Sequence, residues 1–558
     1  MLKRRFIRIL LYLLAGLLAI LLAFYLYYRI STNVTEPEIS NAQKSSMERI
    51  GAGPDEFACE HGWLRKAREG WWEMYLEGSP YEIGYAHGLL TKELMEAQER
   101  AFLGRLEELI SSKFYQEFML AFVRFFNRDL DEYVLPEYQQ EIFGISRFAS
   151  PEFDFMGPAY ARMLNYHAAH DIGHAVQNMN LLACTAFGAW DAHSADSSLI
   201  LGRNFDFYIN DEFAKDKILC FIRPDSGYSL AMVTWAGFAG VVSGMNEKGL
   251  TVTLNSAKSS IPYGAKTPVS LLAREILQYA SNITEAYAIA QKRQTFVAES
   301  FLIGSAADHK AVVIEKSPEK IALYDPGTNF LIVTNHFQSD TFLSDPLNVE
   351  NMENESSVYR YNRVKELLST NPPVDPVIAA NILRDYRGIQ GKDIGLGNEK
   401  AVNQFIAHHS IIFKPEQRML WVAAPPFQLG EYRGYDLDSV FAHGQDVNAS
   451  RDVACNVSAT TKIPADDVLA FSIYQNLLKY RSLSHKIEQG EYTEGDADSL
   501  IHYNPEYFHT YRILGDYFNA QGKGQRAVEY YREALEKEAP SAAERESVVS
   551  NRRSAVSK

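Results

Sequence analysis

The spacing of hydrophobic residues changes three times along the chain, and each change marks a different kind of structure. Ile9 to Tyr28 is a run of 20 uncharged residues. As a helix it is about 30 Å long, the depth of a bilayer's hydrocarbon core. No polar face interrupts it, which argues against a buried helix of a soluble domain. The stretch STNVTEPEISNAQKSS that follows is polar and predicts a tether over 31–62. From Trp63 to Asn180 apolar residues mainly recur every three or four positions, as in TKELMEAQERAFLGRLEELISSKFYQEFMLAFVRFF, and predict helices. One exception is GSPYEIGYAHGLL, where Gly78-Ser79-Pro80 reads as a turn and Tyr81, Ile83 and Tyr85 alternate briefly.

Between Leu181 and Phe427 the period shortens to two. SLILGRNFDF, KILCFIRP, YSLAMVTWAG, VVSGMNEKGLTVTLNSA, SFLIGSA, KAVVIEKS, KIALYD, FLIVTNHF, HSIIFKP and RMLWVAAPP read as strands joined by short Gly, Asp and Asn turns. Such turns imply antiparallel pairing, and helical patterns near Val269 to Gln291 and Tyr359 to Leu368 imply layers on the outside. From Ile463 the period is helical again. There Tyr511, Leu514, Gly515, Phe518, Ala527, Tyr531 and Ala534 fit the signature of one tetratricopeptide repeat (TPR). One repeat is too few to stand alone, which predicts a helical module docked on the rest.

Composition narrows the partners. A chain of 558 residues is too long for one ordinary core. Its 55 basic against 70 acidic residues, with no long basic run beyond residue 8, exclude nucleic acid as a partner. Lys3, Arg4, Arg5 and Arg8 precede the apolar run and only Arg29 follows it closely, so the N-terminus is expected in the cytosol and the remainder on the exported side. A cleaved signal peptide has a shorter apolar core and an A-x-A-like site that FYLYYRISTNV lacks, so a retained single-pass anchor is expected. Cys59, Cys184, Cys220 and Cys455 are too sparse for a disulfide scaffold or a zinc motif. With Cys184 free, at most one disulfide can form.

Cys184 lies in a strand-like stretch, and a lone cysteine there is most often core. Polar residues at the ends of later strands change that reading: Arg203 and Asp206 in GRNFDF, Asn246 and Asn255 in MNEKGLTVTLNSA, Asn335 in IVTNHF, and Arg360 and Arg363 in YRYNR. Each offers a polar group where an acid or oxyanion could bind. The ordered set CTAFGAW, LILGRNFDF, GMNEKGLTVTLNS, LIVTNHF and HSIIFKPEQRMLWVAAPPF, with GSPYEIGYAHGLL before it, resembles the cysteine N-terminal-nucleophile (Ntn) hydrolases. The resemblance spans roughly residues 75–427. It is to the acyl-coenzyme A:6-aminopenicillanic acid acyltransferase-like branch, whose relatives include acid ceramidase, N-acylethanolamine amidase and choloylglycine hydrolase.

That resemblance implies an α+β fold, a four-layer αββα sandwich of antiparallel sheets, and a precursor that cuts itself between Ala183 and Cys184. It implies catalytic roles for Cys184 as nucleophile, Arg203 beside the thiol, Asn255 in the oxyanion hole, Asn335 and Asp206 on the α-amine, and Arg360 as the late arginine, with Arg363 competing. The freed α-amine then serves as the base, and no histidine is required. Ala183 departs from the glycine usual before the cut. The segments expected are a cytosolic N-terminus and anchor (1–30), a tether (31–62), a helical propeptide (63–183), a catalytic domain (184–430), a TPR-like module (463–540) and a polar tail (541–558).

Rival signals are His167, His170 and His174 with Asp171 as a zinc face, His408-His409 as a partner for Cys184, and the aromatic stretches GWWEMYLEG and FYQEFMLAFVRFF as lipid binders, for which core helices are the blander account. No metal or cofactor is expected. The expected function is a self-processing cysteine amidohydrolase or acyltransferase acting through a thioester on a small acyl-amide substrate, which is lipid-like in keeping with the membrane. A protein partner is expected at the C-terminal repeat. The alternative is a catalytically inactive Ntn-like scaffold tethered to the membrane and binding through that repeat.

Overall fold

The computed structural model describes residues 2–40, 47–110, 112–168, 171, 182–207, 211–258, 260, 264–446, 462–469, 472–493 and 495–556. Strands alternate their side chains between two faces, and here both faces are apolar, so each sheet is covered on both sides. One sheet has eleven strands in the order β1-β2-β3-β4-β7-β8-β9-β10-β11-β12-β13. They are β1 (Ile50–Gly53), β2 (Glu56–Cys59), β3 (Gly62–Lys66), β4 (Trp72–Gly78), β7 (Ile218–Pro224), β8 (Leu230–Thr234), β9 (Ser243–Asn246), β10 (Leu250–Ser256), β11 (Glu299–Ser305), β12 (Lys310–Lys316) and β13 (Ile321–Tyr324). The other has six, in the order β14-β5-β6-β15-β16-β17: β14 (Phe330–Val333), β5 (Leu182–Asp191), β6 (Ser197–Phe207), β15 (His409–Lys414), β16 (Met419–Ala423) and β17 (Tyr432–Asp436).

Three separate cores stack these sheets into four layers. Between the sheets, Leu219 and Phe221 of β7 meet Ala186, Leu201, Ile411 and Phe413 of the smaller sheet. The intervening residues Ile218, Cys220 and Ile222 turn the other way, against Ile83, Ile142, Leu272 and Ile276 on outer helices. On the far side, Phe187, Ile200, Ile412 and Trp421 pack on Val364 and Leu368 of the helix Ser357–Thr370 and on Ile382 and Leu383 of the helix Pro376–Leu383. The order is therefore helix, sheet, sheet, helix.

The N-terminal half differs from its sequence pattern. Residues 50–59 were expected within the tether and 63–78 at the start of the helical propeptide, yet they form β1 to β4. Most of these strands are only four or five residues long, too short to show a period. β4 joins β7 in a parallel pairing, Trp72 opposite Ile218 through Gly78 opposite Pro224. The alternation in GSPYEIGYAHGLL is likewise not a strand: Pro80 opens the helix α2 (Pro80–Leu109). Glu82 closes that helix's first turn by accepting from the Ser79 N–H and hydroxyl at 2.9 and 2.6 Å. A Cβ on Gly84 would lie 1.9 Å from the carbonyl oxygen of Glu141, and one on Gly144 2.5 Å from the nitrogen of Tyr85. These glycines let α2 touch the helix Pro136–Ser146 backbone to backbone.

α1 (Leu2–Ser31) is the apolar N-terminal helix, long enough to cross a membrane and unburied along residues 4–31. The chain ends in the helices Ser472–Glu488, Asp496–Tyr503, Phe508–Ala520, Gly524–Glu536 and Ala542–Val556. The last replaces the expected polar tail, because Val548 and Ala555 alone supply its buried stripe. Gly515 sits where a Cβ would meet the Tyr531 ring at 2.5 Å, so two of the repeat-signature residues mark the contact between adjacent helices. The C-terminal helices dock on residues 392–405: Glu538 pairs with Lys392 and Lys400, Asn504 exchanges two 2.9 Å hydrogen bonds with the Leu396 backbone, and Arg481 donates to the Phe405 carbonyl.

Candidate active site

β5 and β6 are paired from Leu182–Phe207 to Asp191–Ser197, which sets Cys184 opposite Phe205 and Ala183 opposite Asp206. On its other side β5 is paired with β14 only as far as Ala186 opposite Val333. The Phe205 carbonyl accepts from His408, away from β5. Cys184 and Phe205 therefore form a non-hydrogen-bonded antiparallel pair, and the amide and carbonyl of Cys184 point past the end of β14. Side chains take the place of the missing strand. Asn335 Oδ1 accepts from Cys184 N at 3.0 Å, and Arg360 Nη1 donates to Cys184 O at 2.6 Å and to Thr185 Oγ1 at 2.9 Å. Arg360 Nη2 also donates to Asn335 Oδ1 at 2.6 Å, so one arginine clamps the cysteine backbone and its asparagine partner.

Asn335 is held in turn. Its Nδ2 donates to Ser256 O at 3.0 Å and Oγ at 2.9 Å, and its own N–H is taken by Ser357 Oγ at 2.8 Å. Arg363, the competing arginine, points elsewhere and forms a bidentate pair with Asp385 at 2.8 and 2.9 Å.

The thiol is on the opposite face, between the sheets and fully buried. Arg203 shares that face, two residues from Phe205 along β6, with its guanidinium 4.5 Å from the Phe205 ring centroid. Its Nη2 lies 3.6 Å from Cys184 Sγ. Its Nη1 donates to Val242 O at 2.9 Å and to Ser243 Oγ, and its Nη2 also to Leu254 O, while its Nε has no hydrogen-bond partner among the described residues. Burial pushes the Cys184 thiol up to about 11, and Arg203 opposes this while Asp206 and Glu299 reinforce it. The cation thus acts in the direction expected of it, but burial outweighs it in the uncut chain.

Asp206 faces the helical side, and neither of its carboxylate oxygens has a hydrogen-bond partner among the described residues. Burial raises its pKa to about 7, with Arg360 and Arg203 pulling the other way. Among the described residues it is Asn335, not Asp206, that accepts from the Cys184 nitrogen. Asn255 sits on β10 between Leu254, the acceptor for Arg203, and Ser256, the acceptor for Asn335. Its Nδ2 donates to Val333 O at 3.3 Å, and an amide nitrogen has a second hydrogen to give.

The structure thus gathers Cys184, Arg203, Asp206, Asn255, Asn335 and Arg360 around one strand end. Sequence reasoning passed over Thr185, Ser256 and Ser357, which orient Arg360 and Asn335; small hydroxyl residues beside polar strand ends were the available signal. Of the described histidine rivals, His409 and His167 have both ring nitrogens engaged, whereas His408 Nε2 has no hydrogen-bond partner among the described residues. His409 Nε2 meets Ser243 Oγ at 2.8 Å and its Nδ1 meets His408 Nδ1 at 3.0 Å. His167 uses both ring nitrogens, on Met163 O and on the N–H of Ala239, so it has no lone pair for zinc. His170 and His174 lie outside the described residues, as does Cys455, while Cys59, Cys184 and Cys220 are free thiols.

Residues 193–427 match the family model for acyl-coenzyme A:6-aminopenicillanic acid acyl-transferase. This segment is thus similar to that family. It begins after Cys184 and contains Arg203, Asp206, Asn255, Asn335 and Arg360. Two curated proteins are similar: an uncharacterized protein of Archaeoglobus fulgidus, 27% identical over 290 residues (48% of this chain, 47% of that one), and protein dcd1B of Dictyostelium discoideum, 24% identical over 276 residues (46% and 52%). The chain thus spans about half the length of the curated relatives it matches. Among solved structures, similarity extends to a Caenorhabditis elegans ortholog of N-acylethanolamine-hydrolyzing acid amidase (TM-score 0.30, 20% identity, 42% of this chain and 93% of that one). A conjugated bile acid hydrolase from Clostridium perfringens gives a TM-score of 0.31 at 13% identity, over 46% and 92%.

Proposed function

We propose that this protein is a cysteine N-terminal-nucleophile enzyme that cuts its own chain before Cys184 and then breaks the amide bond of an acyl-amide. The observation that carries the reading is the treatment of one residue: side chains take the Cys184 nitrogen and oxygen out of the sheet ladder, while a buried arginine faces its sulfur. A structural cysteine needs none of this.

In the self-cut, the Cys184 sulfur attacks the Ala183 carbonyl carbon and the C–N bond to Cys184 breaks, with the thiol proton passing to the departing nitrogen. Water then hydrolyses the thioester, leaving a carboxylate on Ala183 and a free α-amine on Cys184. An α-amine has a pKa of about 7.7–8.0, so near neutral pH it supplies the base that a protonated thiol requires. Asn335 already holds this nitrogen, and Asp206 is the nearby carboxylate that gains a partner once the nitrogen becomes an ammonium. On a substrate, the sulfur forms the new thioester, the second Nδ2 hydrogen of Asn255 stabilises the oxyanion, and the α-amine delivers the proton to the leaving amine. Water completes hydrolysis, or another amine accepts the acyl group.

We further propose that α1 is a retained membrane anchor with the globular part on the exported side, and that the substrate is lipid-like for that reason. The module at 472–556 is offered as the site of a protein partner.

The test is a denaturing gel of the wild-type chain beside Cys184→Ala. The enzyme reading expects pieces of 1–183 and 184–558 from the wild type and one whole chain from the variant. A wild-type chain that stays whole, and in which a thiol-directed electrophile never labels Cys184, overturns that reading in favour of the inactive scaffold.

A further inference from the structure

The helix α3 (Lys113–Phe126) has the composition of a core helix and the environment of a surface one. None of its residues is buried. Phe114, Phe118 and Phe122, each four residues apart, form one stripe and are 80%, 55% and 51% exposed, with Tyr115 beside them at 49%. The expectation that this stretch packs in the core is therefore corrected. Lys113, Gln116, Glu117 and Arg124 occupy the opposite side, so the helix is amphipathic with its apolar face uncovered. At about 150–250 Å² per ring, these exposures leave roughly 280–465 Å² of apolar surface in one stripe, comparable with the largest patch on an ordinary monomer, the kind that commonly marks an interaction site.

What lies next to the stripe identifies its occupant. Phe125 stacks on Tyr28 of α1 with ring centroids 6.3 Å apart, and meets Tyr27 edge-on at 6.2 Å. The Tyr28 hydroxyl donates to the Ala121 carbonyl of α3 at 3.3 Å. Tyr25, Tyr27, Tyr28 and Arg29 close the apolar run of α1, and aromatic and basic residues of this kind settle at the headgroup level of a bilayer. α3 is thus fastened to α1 at the depth where an amphipathic helix lies in the interface, apolar side down. Arg124 reaches over the Tyr28 ring and Arg128 over Phe125, placing cations at the same level for lipid phosphates. At its other attachment, Phe126 packs on Phe296 and its carbonyl accepts from Ala265 at 3.3 Å.

We infer that α3 is a second membrane contact, lying in the outer leaflet with Phe114, Phe118 and Phe122 among the acyl chains. The inference rests on the reading of α1 as a span. Phe126 and Ala265 tie it to the segment that leaves β10, the strand carrying Asn255 and Ser256, so membrane docking sets the candidate site at the lipid boundary.

The test uses the full chain in vesicles of phosphatidylcholine and phosphatidylethanolamine doped with a phospholipid bearing a photoactivatable diazirine on its acyl chain. Adducts are located by peptide mass spectrometry. Adducts in both 1–31 and 113–126 are expected, with those in 113–126 lost in a Phe114→Ser, Phe118→Ser, Phe122→Ser triple variant and those in 1–31 kept. Adducts in 1–31 alone overturn the docking of α3 and leave the anchor standing. Adducts in 113–126 alone support the docking and overturn the anchor, and none in either overturns both. A cross-link between two chains through 113–126 without lipid adducts assigns the stripe to a second copy and also overturns the inference.

Discussion

Cys184 and Cys220 are both fully buried and both lie on strands. Cys220 sits in mid-strand, opposite Met74 on one side and Met232 on the other, so its backbone is absorbed by ladders in both directions. Burial pushes its thiol far above the ordinary range. Cys184 sits where a neighbouring strand has ended, its backbone held by Asn335 and Arg360, and burial pushes its thiol up to about 11, with Arg203 and Arg360 opposing and Asp206 and Glu299 reinforcing that rise. Burial is thus common to both thiols, and what sets Cys184 apart is the end of the ladder, where Asn335 and Arg360 take its backbone.

The sharpest way to break this comparison is to remove each sulfur. Cys184→Ala is expected to abolish self-cutting and to lower amide hydrolysis by roughly a thousandfold or more, the scale of losing a nucleophile. Cys220→Ala should leave the cut intact and cost about 1 kcal/mol in chemical denaturation. Equal effects of the two would erase the distinction.

Next in size is Arg203→Met. A cation beside a thiol lowers its pKa by about one to three units, so labelling of Cys184 by a thiol-directed electrophile near neutral pH should slow about tenfold or more. Labelling at an unchanged rate would remove the arginine from the account.

Asn335→Ala takes away a buried hydrogen-bond acceptor for the Cys184 nitrogen, worth about 1–3 kcal/mol, and should slow the cut about tenfold to a hundredfold. Ser357→Ala, which loosens Asn335 without touching Cys184, should slow it less.

Asp206 gives the smallest effect and the one that depends on pH. Its folded pKa, about 7, stands above the value of about 3.9 for a free aspartate. The folded chain therefore binds more protons between these values. The stability this contributes is complete below pH about 4 and is lost as the pH rises through 7. Asp206→Asn should accordingly gain stability relative to the wild type at pH 8 but not at pH 4 in thermal melts.

How legible the site was in the sequence follows from the same geometry. Arg203, Asp206, Asn255 and Asn335 stood out because polar residues toward the ends of apolar strands have no packing reason to be there, whereas Arg360, grouped with them from YRYNR, lies on the helix Ser357–Thr370 and not at a strand end. Thr185, Ser256 and Ser357 did not stand out, because small hydroxyl residues are common at strand ends and helix starts for ordinary reasons. The strands from β6 to β16 were readable from a period of two bounded by turns. β1 to β4 were not, since EFAC and GWLRK are too short to show a period and their place is fixed by β7, more than a hundred residues later. α3 looked like core from its spacing alone; only its position beside α1 reveals that its apolar side faces outward.

The central claim is that Cys184 works through a chain end made for it. N-terminal sequencing of the smaller pieces released on denaturing the wild-type protein tests this most directly. The account predicts a fragment whose first residue is Cys184, followed by Thr185 and Ala186. An amide-hydrolysing protein whose chain remains joined at Ala183–Cys184, or whose fragment starts at another residue, would contradict it.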